Sequence, residues 1–151
     1  MTDIAPGALA AHLDREAVKA LTIAYTWALD RKEFDRLRDV FLPDATARLG
    51  GVDCDGIDAI IARISAALSP LDDSQHLIGN HEVVLDGDTA TSRCYLHAQH
   101  VRRDAEGGPN YVVAGRYEDR VERTPAGWRI RHRDLTVMWT DGNYEVVRRG
   151  R

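Results

Sequence analysis

The chain has 151 residues, 44% hydrophobic and 29% charged, with a formal net charge of −4. That is the size and balance of one globular domain with a real core, and the negative sign excludes a general polyanion-binding role such as nucleic-acid binding. Its two cysteines, Cys54 and Cys94, make no disulfide framework, and no stretch approaches the roughly 20 apolar residues of a membrane span. No charged start followed by a long apolar run marks a signal peptide, so the expected compartment is the cytoplasm. The basic tail Arg148-Arg149-Gly150-Arg151 reads as a solvated end.

Residues 1–11 are small and polar and read as a loose arm. A long helix is predicted from about Leu13 to Asp30, because Ala17, Leu21, Ala24, Tyr25, Ala28 and Leu29 recur at helical spacing. Arg31-Lys32 interrupts that pattern. A short helix comes next, with Phe34, Leu37, Val40 and Phe41 on one face, and Pro43 ends it. Asp44 to Leu49 reads as a short strand. Gly50-Gly51 and Asp53-Cys54-Asp55-Gly56 are turn chemistry. Ile57, Ile60, Ile61, Ile64 and Leu68 define a third helix, closed by Pro70.

After Pro70 the pattern changes to strands and hairpins. Leu77 to Leu85, Thr89 to Val101, Tyr111 to Glu122 and Trp128 to Thr140 are strands. The turns between them are Asp86-Gly87-Asp88, the stretch from Asp104 to Pro109, and Thr124-Pro125-Ala126-Gly127. Helices first and an antiparallel meander after is an α+β layout. The predicted fold is a single cone-shaped α+β barrel, with N-terminal helices packed on a curved antiparallel sheet and a pocket at its mouth.

One residue stands out within that scheme. Asp30 lies close to the apolar stripe and at the C-terminal end of its helix, where the macrodipole disfavours a carboxylate by roughly 0.3–1 kcal/mol. An acid facing the core there needs a partner, and His76 in Ser74-Gln75-His76-Leu77-Ile78 is the candidate. In the structural reading the pair pins the helix end to the sheet. In the catalytic reading Asp30 accepts a proton from one ring nitrogen, fixes the tautomer, and leaves the other nitrogen as a general base with a starting pKa near ~6.5.

The element order, the motif Tyr25-Thr26-Trp27-Ala28-Leu29-Asp30, the placement of His76, and Gly127-Trp128-Arg129-Ile130-Arg131-His132-Arg133 resemble the SnoaL-like branch of the nuclear transport factor 2-like superfamily. The likeness runs from about Leu13 to Trp139. It is nearest to the Asp–His dyad lyases, such as hexachlorocyclohexane dehydrochlorinase, scytalone dehydratase and bile acid 7α-dehydratase. That resemblance implies that Asp30 and His76 are the dyad, that Arg133 is an active-site arginine, and that Tyr25 matches a catalytic tyrosine. It also implies no cofactor. Scytalone dehydratase has a second active-site histidine on a central strand; here His97 and His100 share a strand, and only one faces inward. The superfamily hosts many activities on one scaffold, so the fold alone does not name the reaction.

Alternation on the last strand puts Arg129, Arg131, Arg133, Leu135, Val137 and Trp139 on one face, and Trp128, Ile130 and His132 on the other. Neither face is clean, so an irregularity is required. Arg133 then either enters the cone or pairs with Glu118 or Glu122 across the surface. Tyr25 either assists a departing hydroxyl or packs. Leu96, Val113, Tyr117, Leu135 and Val137 are assigned to the pocket wall, with Trp27 and Trp139 in pocket or core. No metal site is expected: His97 and His100 point to opposite faces, His76 and His81 share that problem on a regular strand, and His132 with Asp134 is too few ligands. No phosphate-binding glycine loop and no Gly-x-Ser-x-Gly elbow is present.

These readings leave three functions. The first is a cofactor-free, dehydratase-like lyase acting on a small, largely apolar cyclic molecule. The second is a ketone isomerase or polyketide-type cyclase using the same base. The third is a non-catalytic ligand-binding or subunit-association module. Val83, Leu85, Val112, Val121 and Ile130, assigned to the outer face of the meander, predict a homo-oligomer. The resembling lyases favour a trimer over a dimer.

Overall fold

The computed structural model of the chain describes residues 5–148. Helix α1 spans Pro6–Asp30. Its start lies well before Leu13, so most of the expected loose arm is helical; residues 1–4 lie outside the described residues, as do Arg149, Gly150 and Arg151 of the basic tail. Pro6 takes the first helical position, where a missing N–H costs nothing, and Ala8, Ala10 and Ala11 propagate the helix. The buried stripe is rotated by about one residue from expectation. It comprises Val18, Leu21, Thr22, Tyr25, Ala28 and Leu29, while Ala17 and Ala24 are exposed.

A 3-10 helix, Phe34–Asp39, drops Leu37 into the core. Strand β1 (Phe41–Leu49) then begins before Pro43 rather than after it. It pairs in parallel with β6 (Gly127–Gly142), and the ladder is irregular between Phe41 and Thr46, so Pro43 is accommodated where regular pairing lapses. Of the stretch Asp53-Cys54-Asp55-Gly56, read as a second turn, the first three residues belong instead to strand β2 (Val52–Asp55), paired with β1; Gly50 and Gly51 make the turn between the two strands, with φ of 59° and 80°. Helix α2 (Ile57–Leu68) buries Ile57, Ile60, Ile64 and Leu68.

The meander consists of β3 (Asp73–Asp86), β4 (Thr89–Val101), β5 (Asn110–Thr124) and β6. One curved, unclosed six-stranded sheet results, in the order β2-β1-β6-β5-β4-β3. The helices pack on its inner face. No helix among the described residues is long and apolar enough to cross a membrane.

Three irregularities decide which side chains face inward. In β3 the register slips between Gly79 and Glu82, with Asn80 at φ 55°. Ser74, His76 and Ile78 face the helices before the slip, and His81, Val83 and Leu85 after it. In β6 Arg131 is the extra residue opposite Arg120 and Val121. Trp128 and Ile130 point inward before it, and Arg133 after it. A second slip at Met138 turns Trp139 to the outer face.

These slips overturn the expected outer face. Val121 and Ile130 are core residues, and Val83 and Leu85 pack against the core. The exposed apolar side chains of the outer face are Leu77, Val84, Tyr95, Met138 and Trp139.

The slip at Met138 depends on a glycine. A Cβ at Gly115 would collide with the carbonyl oxygen of Thr136 on the neighbouring strand. Gly115→Ala is expected to destabilise the fold by about 1–3 kcal/mol. Urea denaturation measures it, and an unchanged midpoint would show that β6 yields at no cost.

Candidate active site

The end of α1 is tied to β3 by a single carboxylate. Oδ1 of Asp30 accepts from the Ser74 hydroxyl at 2.9 Å and from His76 Nδ1 at 2.6 Å, and Oδ2 accepts from the His76 backbone N–H at 2.9 Å. These donors compensate an acid that the helix dipole disfavours. Burial pushes the Asp30 carboxyl up, but the His76 and Ser74 hydrogen bonds outweigh it and hold the group below the ordinary carboxylate range. With Nδ1 donating to Asp30, the lone pair of His76 is on Nε2. Nε2 has no hydrogen-bond partner among the described residues.

His76 lines an open cavity of about 630 Å³ between α1, α2, the sheet and the C-terminal residues Tyr144, Val147 and Arg148. Leu29, Ile64, Leu68 and Ala98 supply apolar wall. His100 on β4 lies beside the dyad, its ring 5.8 Å from that of His76 and edge-on to it. Burial, then the neighbouring His76, pushes His100 down to about 4, so it is neutral near pH 7. Its Nδ1 is buried without a partner among the described residues.

Behind the cavity wall lies a buried ion pair. Arg133, with 0% exposure, donates from Nε and Nη2 to the two oxygens of Asp119, both at 2.7 Å, and from Nη2 to the Thr22 hydroxyl at 2.8 Å. Its guanidinium carbon lies 4.3 Å from the ring centre of Tyr25 and 4.2 Å from that of Tyr117. Both tyrosines line the cavity and Arg133 does not. Burial raises the Tyr25 hydroxyl, with Arg133 opposing, so the phenol stays protonated.

The SnoaL-like domain family matches residues 10–134 of the chain. The chain belongs to the SnoaL-like family. This SnoaL-like protein is 36% identical over 121 residues to an uncharacterised protein of Mycobacterium tuberculosis, covering 78% of this chain and 80% of that one. Among solved structures it is similar to a provisionally assigned aromatic ring hydroxylase from Novosphingobium aromaticivorans, with TM-score 0.79 and 29% identity over 89% of this chain and 96% of that one. It also superposes on a hexachlorocyclohexane dehydrochlorinase, with TM-score 0.79 and 17% identity over 88% of this chain and 90% of that one. At that identity the shared property is the fold.

The SnoaL-like cavity collects most, though not all, of the residues assigned to it from sequence. Tyr25, His76, Leu96, Val113, Tyr117, Leu135 and Val137 line it. Trp27 does not: it is 56% exposed and stacks under the Arg31 guanidinium at 4.7 Å. Trp139 does not either; it lies edge-on to His97 in an outer-face groove, with ring centres 5.7 Å apart. Arg133 pairs with Asp119, not with Glu118 or Glu122. Of the histidines that sequence left open, His100 faces the cavity, His97 faces outward, and His132 is held outside by Thr46 and Asp134. The slip in β3 puts His81 on the inner face with His76, but His81 is outside the cavity wall. Among the described residues no cluster of three or more His, Cys, Asp or Glu side chains is placed to hold a metal ion. Sequence reasoning missed Arg63, Thr140, Tyr144 and Arg148, which also line the cavity. For Arg63 the signal was its place beside the Ile60–Ile64 stripe.

The depressed His100 links pH to stability. Between about 6.5 and about 4 the unfolded chain takes up a proton that the folded His100 refuses. Stability therefore falls as pH falls through that window, by up to about 3 kcal/mol. Asp30, whose folded value is also lowered, loses its contribution only at lower pH. His100→Gln should flatten the profile between those two values in urea titrations, whereas a slope equal to wild type assigns the acid sensitivity elsewhere.

Proposed function

We propose that this protein is a cofactor-free lyase of the dehydratase type, acting on a small, largely apolar cyclic substrate. The observation that carries this is the 2.6 Å Asp30–His76 hydrogen bond, with the histidine lining a cavity of about 630 Å³. That volume suits a small organic ligand. In the proposed step His76 Nε2 takes a proton from carbon. The C–H electron pair becomes the new carbon–carbon double bond, and the adjacent bond to hydroxyl or halide breaks with its electron pair leaving on that group, which the imidazolium proton then neutralises as water or hydrogen halide. Asp30 stabilises the imidazolium that forms. The protonated Tyr25 hydroxyl hydrogen-bonds the departing group. Arg133, removed from the cavity by the tyrosine rings, acts as a positioning residue that holds Tyr25 and Tyr117. The fold shared with a dehydrochlorinase supports this reading.

A second reading draws on His100. A neutral imidazole in an apolar wall polarises a carbonyl by donating a hydrogen bond, so the same base would serve ketone isomerisation or cyclisation. Product mass separates the two, since elimination removes water or a hydrogen halide and isomerisation leaves the mass unchanged.

A substrate panel run with His76→Ala and Asp30→Asn tests the mechanism. Each substitution is expected to lower kcat/KM by about 10²–10⁴. Activity retained at wild-type level in both would sink the general-base assignment, and no turnover by the wild type across the panel would favour a non-catalytic binding module.

We also propose self-association through the outer face of the sheet, as a trimer before a dimer. Leu77, Tyr95, Met138 and Trp139 are exposed there, beside charges of both signs in the Arg93–Glu82 and Arg116–Glu118 pairs. A patch with both signs at its rim can complement a copy of itself. Sedimentation at micromolar concentration should show an oligomer that Trp139→Glu dissociates. A monomeric wild type would overturn the proposal.

A further inference from the structure

The charged lining of the cavity is one-sided. Arg63 and Arg148 line it, and no Asp or Glu does, although the chain as a whole carries a net charge of −4. Asp30 reaches the cavity only through His76. The two arginines differ in their commitments. Arg148 donates to Glu145 at 2.8 Å. Arg63 is half-buried on α2 and has no salt-bridge or hydrogen-bond partner among the described residues. A partly desolvated guanidinium without a counter-charge favours an incoming anion, and no carboxylate among the described residues lies within ion-pairing distance of Arg63.

The position of Arg63 in the fold adds a direction. The dyad histidine is on β3, one edge strand of the sheet, with His100 on its neighbour β4. Arg63 lies against Gly50, in the turn between β1 and β2 at the other edge. The cavity therefore spans the sheet, with a base at one end and an unpaired fork of N–H donors toward the other. Leu49, Ile64 and Leu68 supply apolar wall along it.

We infer that the ligand of this cavity is an apolar molecule bearing a carboxylate, which Arg63 grips as a bidentate partner while the ring lies toward His76. Guanidinium matches a flat carboxylate through two parallel N–H donors, and no other side chain lining this cavity, Arg148 excepted, provides that geometry. The inference rests on the cavity being the ligand site, as in the lyase reading, but not on the reaction performed there.

The test uses a matched pair of probes, 2-naphthylacetate and its neutral amide 2-naphthylacetamide, titrated calorimetrically into the full chain at low salt. The wild type is expected to prefer the acid by about tenfold or more, the size of one charge-assisted hydrogen-bond pair. Arg63→Gln should bring the two probes within about threefold, by weakening the acid and leaving the amide unchanged. Arg63→Lys, which keeps the charge and loses the fork, should fall between them. The calorimetric readout is binding alone and needs no turnover. A dyad that proves inert in turnover assays therefore leaves this result intact, and the two ideas fail separately. Equal affinities in the wild type, no measurable binding of the acid, or a preference that survives Arg63→Gln each overturns the inference.

Discussion

The Asp30 carboxylate is the constraint on which the site depends. It sits at the wrong end of a helix dipole and is partly removed from water, and three donors from β3 hold it there. One of those donors is the His76 backbone, so the strand is docked against the helix end. Another is the His76 ring, so the imidazole orientation and tautomer are set by the same contact. The contact that pins the helix end to the strand is therefore the same one that orients the imidazole. The early start of β3 at Asp73 belongs to it, because Ser74 and His76 must already be in the strand to reach the carboxylate.

A second buried charge organises the inner wall. Arg133 and Asp119 face each other across β5 and β6 in direct register, and the guanidinium packs against two tyrosine rings. A buried pair of this kind contributes little net stability against an apolar replacement. Its consequence is geometric: the rings of Tyr25 and Tyr117 are fixed against a cation, and their hydroxyls remain protonated because burial disfavours the phenolate. The polar groups that face the cavity near His76 are thus an imidazole held by a carboxylate, a neutral imidazole, and two phenols.

The strand irregularities connect these features. Each slip exchanges the inner and outer faces of the strand beyond it. The slip at Arg131 brings Arg133 inward, and the slip at Met138 sends Trp139 outward. The slip in β3 keeps His81 on the helix side, where burial lowers its pKa but no wall of the cavity includes it.

Local pattern was enough for much of this protein. The apolar spacing of α2, the three hairpin turns of the meander and the α+β order are all written in nearby residues, because period and turn chemistry are local properties. The lone acid at the end of α1 and the histidine opening the meander identified a pair before any geometry, because an uncompensated charge in an apolar stripe demands a partner. Other features depended on distant segments. Ala17 and Ala24 yielded the buried stripe to Val18 and Thr22, since packing, not spacing, sets which face turns inward. His100 and not His97 faces the cavity because its parity is measured from the inner face of a curved sheet. Arg133 found Asp119 because a bulge shifted its register, and β1 pairs with β6 although Ala47 and its partner Arg133 lie at opposite ends of the chain's middle stretch. Such pairings are set by which surfaces meet when the sheet forms, and no window of sequence contains both partners.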